Sequence, residues 1–583
     1  MTLLENTTGI LGALFMITGL YAVGNLAERI APWKKAGRHF NISLGFSLFY
    51  FFFLEASALV HPWSYYLIYF LMGLAIVWNF REIRQGLRSF AASNKIFLLV
   101  TSIVALPFFL GLISPPVNFD GVSFYLPSAE WIYRYGLTFN HYLPSYTTMP
   151  QGAEYLFSAG FGIGGYQAIR MMDAIFTLLL IDLIRATSIR YLSLLWTGMV
   201  ICLVFLMPET LLYVFGSGKV DTLGTYFFVV GFTLILRFRE IGSYLPAVLA
   251  LSAALAIKYT NWLLLILPLT GLFLLLLMQK KYRMAMAAAA IPLLFTMPVL
   301  IKNQIEVNNP LAPVIITGKP TRFVFTHGEM PSNSDIPTDL LQNDTALSKA
   351  GNKYQGVVNT LKGEMCWIIS AVMAILLLLR LAGRLPLPEF WTWYLFLLLC
   401  FVPWFYELGD SPQPLRFIWP PLVILTLLVL VSLKELVAPL KIPFRQYTAA
   451  MAIFLVGLPV IGYSYYRHGR NLHYFIKSQE LSLADWYAYV GQEFFSISAR
   501  MREAGFHHQD VFYLNGVALG LFDVRDYGNL PNAEQQAVLS KYGLKTYCGE
   551  KYIFDRMPHD SIAGKPVKNI FISKNYHLMA IEE

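Results

Sequence analysis

The chain has 583 residues, of which 56% are hydrophobic and only 14% charged, a balance foreign to ordinary water-soluble domains. The net charge of +9 has the sign of a nucleic-acid binder, but in a chain this apolar the basic residues belong to cytoplasmic loops and lipid headgroups. With a mean hydropathy of +0.53, the remaining class is a multi-pass membrane protein, with membrane lipids rather than nucleic acid as its surroundings.

The first apolar run begins near Gly9; lacking a basic n-region and a small-residue cleavage site, it reads as a retained helix rather than a signal peptide. Further runs begin near Phe40, Trp63, Ile96, Gln167, Leu192, Thr222, Tyr244, Trp262, Ala285, Cys366, Trp391, Leu415 and Tyr447. They predict an all-α polytopic bundle of about 12–14 transmembrane helices. Only Lys258, Tyr259, Thr260 and Asn261 separate the Tyr244 and Trp262 runs, so these read as two short helices meeting at a turn below the membrane surface. Such a turn has to line a protein cavity, because bare backbone does not face lipid. The centres of the runs read as largely free of charge.

Basic residues alternate between loops. Arg29, Lys34, Lys35 and Arg38 follow the first run, Arg81, Arg84 and Arg88 the third, and Lys280, Lys281 and Arg283 the ninth. These loops are expected in the cytoplasm, which places both termini and the outer loops 114–166 and 302–364 on the opposite side. Residues 1–466 form the expected membrane domain. From 467 to 583 the composition becomes mixed and polar, with an amphipathic stretch at Trp486 to Arg502 and short alternating runs such as DVFYLNG and NIFIS. A small extracytoplasmic α/β domain is expected there. Cys202 and Cys400 fall inside apolar runs; Cys366 and Cys548 fall outside them and make no CxxC motif, and nothing in the sequence supports a disulfide between them.

Charges in the outer loops are few and recur beside helix ends. Asp120, Glu154, Lys219, Asp221, Lys258, Lys302 and Arg416 all do so, which points to one shared cavity. A carboxylate at the mouth of a membrane bundle is costly unless used or paired, and Asp120, in NFDGVSFYLPSAEW, is the first candidate. The aromatic side chains are densest from Tyr125 to Tyr155, beyond what an interfacial belt needs, so Tyr125, Trp131 and Tyr142 are candidates for stacking on a sugar or acceptor.

The string D-G-V-S-F-Y-L-P from Asp120 to Pro127 resembles the acidic first-loop motif of the C-type glycosyltransferases, which include aminoarabinose transferase and protein O-mannosyltransferases. Many relatives carry histidine where this chain has Tyr125 preceded by Phe124. Similar strings follow in order: MPQGAEYLF with Glu154, GSGKVD with Asp221, IKYTNW with Lys258, KNQIEVNNPLAP from Lys302 to Pro313, and QPLRFIWPPL with Arg416. The resemblance implies a bacterial inner-membrane enzyme that moves a sugar from a polyprenyl-phosphate donor to a lipid, glycan or protein acceptor on the outer side.

On that reading Asp120 is the base for the acceptor hydroxyl, by analogy with inverting glycosidases. Lys258, Lys302, Arg416 and, more weakly, Lys219 hold the donor phosphate. Glu154 and Asp221 fit three roles: holding a divalent cation such as magnesium or manganese, orienting the acceptor, or pairing with these bases. No dense carboxylate cluster compels a metal. Two other classes have similar composition: a transporter or flippase, in which charges near the membrane midplane and related halves are expected, and an oligosaccharide ligase or polymerase using a diphosphate-linked donor.

Overall fold

The structure, a computed structural model, describes residues 3–31, 33, 35–95, 97–99, 101–102, 112–113, 121–137, 149–206, 216–307, 310–311, 365–387, 389–408 and 418–437 of the membrane part. In the tail it describes 473, 476–477, 480–482, 485 and six short strands between 511 and 581. The expected runs at Ile96 and Tyr447 fall mainly or wholly outside these residues.

Helices α1 (Leu3–Arg29), α2 (Arg38–Val60) and α3 (Trp63–Ser93) pack on one another. Gly24 meets the Asn41 carbonyl, and Gly45 the Leu20 carbonyl, so closely that a Cβ at either position has no room. This is how membrane helices associate where water gives no apolar driving force. Phe70, Val77 and Trp78 on α3 face outward, as suits a surface bathed by acyl chains. A π-helical turn, Gly121–Tyr125, leads into α4 (Leu126–Tyr135). Helix α5 (Gly152–Ser188) packs along α1. After it come α6 (Leu194–Leu206), α7 (Asp221–Leu236), the single turn α8 (Phe238–Ile241) and α9 (Leu245–Leu255). The remaining helices are α10 (Tyr259–Met278), α11 (Tyr282–Val307), α12 (Met365–Leu381), α13 (Phe390–Leu408) and α14 (Trp419–Val437).

Among the described residues, six helices are long and apolar enough to cross a membrane: those spanning 4–29, 38–60, 63–93, 259–278, 282–305 and 419–436. Four shorter apolar helices accompany them. The protein is therefore a helical, multi-pass membrane protein.

Helix α5 departs from helical geometry at Gly164 and Gly165, and Gly165 has a φ of +61° that favours glycine. A Cβ on Gly164 would meet Gly9 Cα and the Thr8 carbonyl of α1, each at 2.7 Å. The break divides α5 into a first segment, 152–163, within the range 114–166 expected as a loop, and a second segment near the run expected from Gln167. That second segment corrects the reading of charge-free centres: Arg170, Asp173 and Asp182 are all buried on it. They were overlooked because three ionisable residues spread over a long helix hardly lower the apolar count of the run.

The turn expected between the Tyr244 and Trp262 runs lies between α9 and α10 and is buried within the protein. Ala256 and Ile257 are buried, and the backbone there is satisfied by Ile257 N–H to Ala254 O (3.2 Å) and Asn261 N–H to Lys258 O (3.1 Å). The expectation of two short helices holds for α9, with 11 residues, but α10 has 20 and is long enough to span.

One end of the bundle carries a basic network. Arg38 pairs with Asp182, which also receives Arg185 (2.9 Å) and His39 (3.1 Å); Arg190 and Arg237 both pair with Glu240. Arg237 also reaches the Ala36 carbonyl (2.6 Å), and Lys434 the Tyr191 carbonyl (2.8 Å). These contacts join loops that the alternating charge pattern assigned to one side.

In the tail, β1 (Val511–Tyr513), β2 (Arg525–Asp526), β3 (Tyr552–Asp555), β4 (Ser561–Ile562), β5 (Lys565–Ile572) and β6 (His577–Ile581) form a sheet in the order β2-β1-β3-β6-β5-β4. Strand β1 pairs in parallel with β2 and β3, and the other pairs are antiparallel. The amphipathic stretch at Trp486 to Arg502 lies outside the described residues.

Candidate functional site

The site is built on a tight turn, Gly216 to Lys219, ahead of α7. Gly216 and Gly218 have φ values of +63° and +74°, in the left-handed region that glycine enters without strain. Two buried polar side chains on consecutive turns of α5 hold it. Arg170 donates its Nε–H to the Gly216 carbonyl (3.2 Å), and Asp173 accepts from the Gly218 N–H (3.1 Å) and, more loosely, from the Ser217 hydroxyl (3.5 Å). Lys219 N–H in turn donates to Ser217 Oγ (3.2 Å), and the Lys219 side chain is among the most completely buried large ones.

The same turn carries both flanks of the segment that holds Asp120. A Cβ on Gly216 would collide with Leu112, and one on Gly218 would meet Leu126 Cδ2 at 2.9 Å. Gln167 of α5 also donates to the Leu112 carbonyl (2.8 Å). Asp120 itself lies outside the described residues, but Gly121 after it is buried.

Two residues beyond Lys219, Asp221 opens α7 and forms an ion pair with Lys258, which precedes α10 in extended conformation. The side chains are 3% and 15% exposed, so this is a buried pair whose charges depend on each other. A small cleft beside it is lined by Asp221, Thr225, Lys258, Thr260 and Asn261, with Gly224 and, from α14, Pro420. Asn261 is fixed by donating to the Ala254 carbonyl (2.8 Å) and packs over Gly224, where a Cβ would meet its Nδ2 at 2.9 Å. Gly224→Ala is therefore expected to cost about 1–3 kcal/mol through overpacking, outweighing a helix-propensity gain of roughly 1 kcal/mol. A thermal melt in detergent reads this, and an unchanged or raised midpoint would refute the close fit.

A second polar group sits across the sunken turn. Lys302 near the end of α11 donates to Gln151 Oε1 (2.6 Å), and the Gly152 N–H at the start of α5 donates to the Ala256 carbonyl (2.8 Å). Glu154, in the first turn of α5, is 4% exposed, and its Oε2 has no hydrogen-bond partner among the described residues. Beside it, Tyr155 stacks on Tyr50 and Phe53, with ring centroids 5.9 and 5.3 Å apart. Burial pushes the Glu154 carboxyl up to about 8, against the opposing effects of a backbone hydrogen bond and the Lys302 charge.

The sign of the resulting pH dependence follows from linkage. The folded protein keeps a proton that an ordinary carboxyl gives up near pH 4, so this stability is fully present below that value and is lost as pH rises through about 8. Glu154→Gln, neutral throughout, is expected to lack that fall. Melting midpoints of the two proteins from about pH 5 to about pH 9 measure it, and parallel profiles would exclude a buried titrating carboxyl.

Of the residues singled out in the sequence, Asp221 and Lys258 are brought together, Lys219 lies next to them in the chain, and Lys302 and Glu154 lie across the turn. Asp120, Tyr142 and Arg416 fall outside the described residues, although Ile418 and Trp419 just beyond Arg416 are buried. Tyr125 is half-buried and packs against the apolar core; Trp131 is half-buried with its ring 4.4 Å from that of Tyr135. Arg170 and Asp173 were not singled out at all. Among the described residues no group of three or more His, Cys, Asp or Glu side chains is placed to hold a metal ion, and Asp221 directs an oxygen at an ammonium. Cys366 is a free thiol, and Cys548 lies outside the described residues.

Fold and site together define a polytopic helical membrane protein with a polar cleft at one end of its bundle. No family model, curated protein or solved structure matches the chain.

Proposed function

We propose that this protein is an integral-membrane glycosyltransferase that takes a sugar from a polyprenyl-phosphate donor. The observation that carries the reading is the cleft at Asp221 and Lys258, which is joined through the turn 216–219 to both flanks of the Asp120 segment. In the reaction, Asp120 accepts the proton of an acceptor hydroxyl, whose oxygen attacks the anomeric carbon. The bond from that carbon to the phosphate oxygen breaks, and polyprenyl phosphate leaves with the electron pair, giving inversion. Such a leaving group needs cationic stabilisation more than a general acid, a role for Lys258, Lys302, Arg416 and Lys219. The acceptor is a lipid, glycan or protein hydroxyl, and Tyr125, Trp131 and Tyr142 are the proposed stacking surface. Glu154 orients the acceptor; a divalent cation is not required by this scheme.

On the positive-inside pattern the basic end is proposed to face the cytoplasm and the cleft the outside, and the family resemblance supports a bacterial inner membrane. The tail from 467 is proposed as a small α/β domain on the cleft side, with its strands between Val511 and Ile581.

Native mass spectrometry of the protein in nanodiscs tests the reading. A bound polyprenyl phosphate or its glycosylated form is expected, with the sugar readable from its mass. Failure to bind added polyprenyl phosphate would remove the donor class.

Transport of a lipid or solute is the second reading. The observation favouring it is the set of buried ionisable groups, Arg170, Asp173 and Asp182, on the second segment of α5, a feature of transport pathways. Flux of a lipid-linked sugar across proteoliposomes without product formation would favour it.

A further inference from the structure

We infer that Arg170 and Asp173 are positioning residues that set the phosphate-binding face of the cleft, an inference that rests on the glycosyltransferase reading of that site. Neither residue lines the cleft itself. Their effect passes through the backbone of one turn. Arg170 fixes the turn by its first carbonyl, at Gly216, and Asp173 fixes it two residues later by an N–H, at Gly218. The Arg170 bond is charge-assisted, and both bonds originate on consecutive turns of the same helix, so the loop is held at two points against one support.

The geometry explains why the turn needs such a support. A turn with two left-handed glycines is the most flexible kind of backbone, and the unfolded chain gains most from its release. Arg170 is 5% and Asp173 1% exposed, so each polar group also needs the backbone dipoles of the turn as partners. Arg170 is itself steadied by Gln167 Oε1 (3.2 Å), and Gln167 holds the Leu112 carbonyl (2.8 Å). One side of α5 thus fixes the turn and the residue that precedes the Asp120 segment. Lys219 follows the clamped turn directly, Asp221 lies two residues on, and Leu126 rests on Gly218. Loosening Asp173 therefore shifts a phosphate-binding lysine, the partner of Lys258 and the far flank of the proposed base together.

The test compares wild type with Asp173→Ala and Asp173→Asn in nanodiscs, reading polyprenyl phosphate affinity by native mass spectrometry and amide hydrogen exchange of residues 216–221. Asp173→Ala removes the acceptor and is expected to weaken binding about ten- to a hundredfold and to speed exchange in that peptide alone by about tenfold. Asp173→Asn keeps an oxygen able to accept from the Gly218 N–H and is expected to stay within about threefold of wild type in both.

Wild-type exchange at 216–221 in Asp173→Ala would overturn the clamp. Exchange accelerated equally throughout α5 and α7 would also overturn it, showing a general structural role instead. Altered exchange with unchanged affinity would sever the turn from the phosphate site and reject the inference. If the wild type binds no polyprenyl phosphate while exchange behaves as expected, the donor reading fails and the two-point clamp stands.

Discussion

Lys258→Met is expected to lower stability by about 3–5 kcal/mol, because it leaves the Asp221 carboxylate buried beside an apolar chain of similar length. The expected result for the double variant is opposite in one respect. Asp221→Leu combined with Lys258→Met removes both charges, and such replacements of buried pairs are often neutral or stabilising. Its melting midpoint should return to within a few degrees of wild type, roughly the span of 1 kcal/mol in a protein this large. Transfer activity and phosphate binding should remain lost in both. Recovery of stability without recovery of function would separate what the pair does for the fold from what it does for the ligand. Recovery of both would assign the pair to structure alone and take the cleft out of the proposed mechanism.

Asp120→Asn is expected to reduce turnover by about 10²–10⁴-fold, the usual contribution of a general base, while polyprenyl-phosphate affinity changes by less than about threefold. The amide keeps the size and hydrogen-bonding shape of the carboxylate but takes no proton. Single-turnover transfer with a saturating donor isolates the chemical step from binding. A matched loss of affinity and turnover would assign Asp120 to donor binding, and near-normal turnover would assign the base to another residue.

The sequence and the structure agree best where chemistry interrupts a hydropathy pattern. Lys258, Tyr259, Thr260 and Asn261 break an apolar stretch, so the sunken turn between α9 and α10 was legible, as were Asp221 and Lys258 beside helix ends. Their pairing was one of three open roles, since nothing local says which carboxylate meets which amine. The glycines of GSGKVD signalled a turn, but what holds it was hidden. The partners of Arg170 and Asp173 are backbone atoms about 45 residues away, and backbone atoms have no sequence signature. The break at Gly164 and Gly165 was equally obscure, because paired glycines are common in membrane helices and only the approach of Thr8 and Gly9 gives this pair its purpose.

Asp173 and Asp182 are nine residues apart on α5, roughly 13 Å along the axis of a regular helix. One belongs to the network under the cleft and the other to the basic network at the opposite end, and Phe176 and Leu180 between them are fully buried. The apolar septum between the two charged networks is thus less than half of a typical hydrocarbon core of about 30 Å. A voltage across a membrane falls mostly over its least polarisable layer, so in a bundle set along the membrane normal the field would concentrate in this septum. Each elementary charge carried across the full drop exchanges about 2.3 kcal/mol per 100 mV. On the proposed donor reading, an anionic headgroup drawn into the cleft would sample part of that drop, which would make an energised membrane and a resting one different environments for the same site.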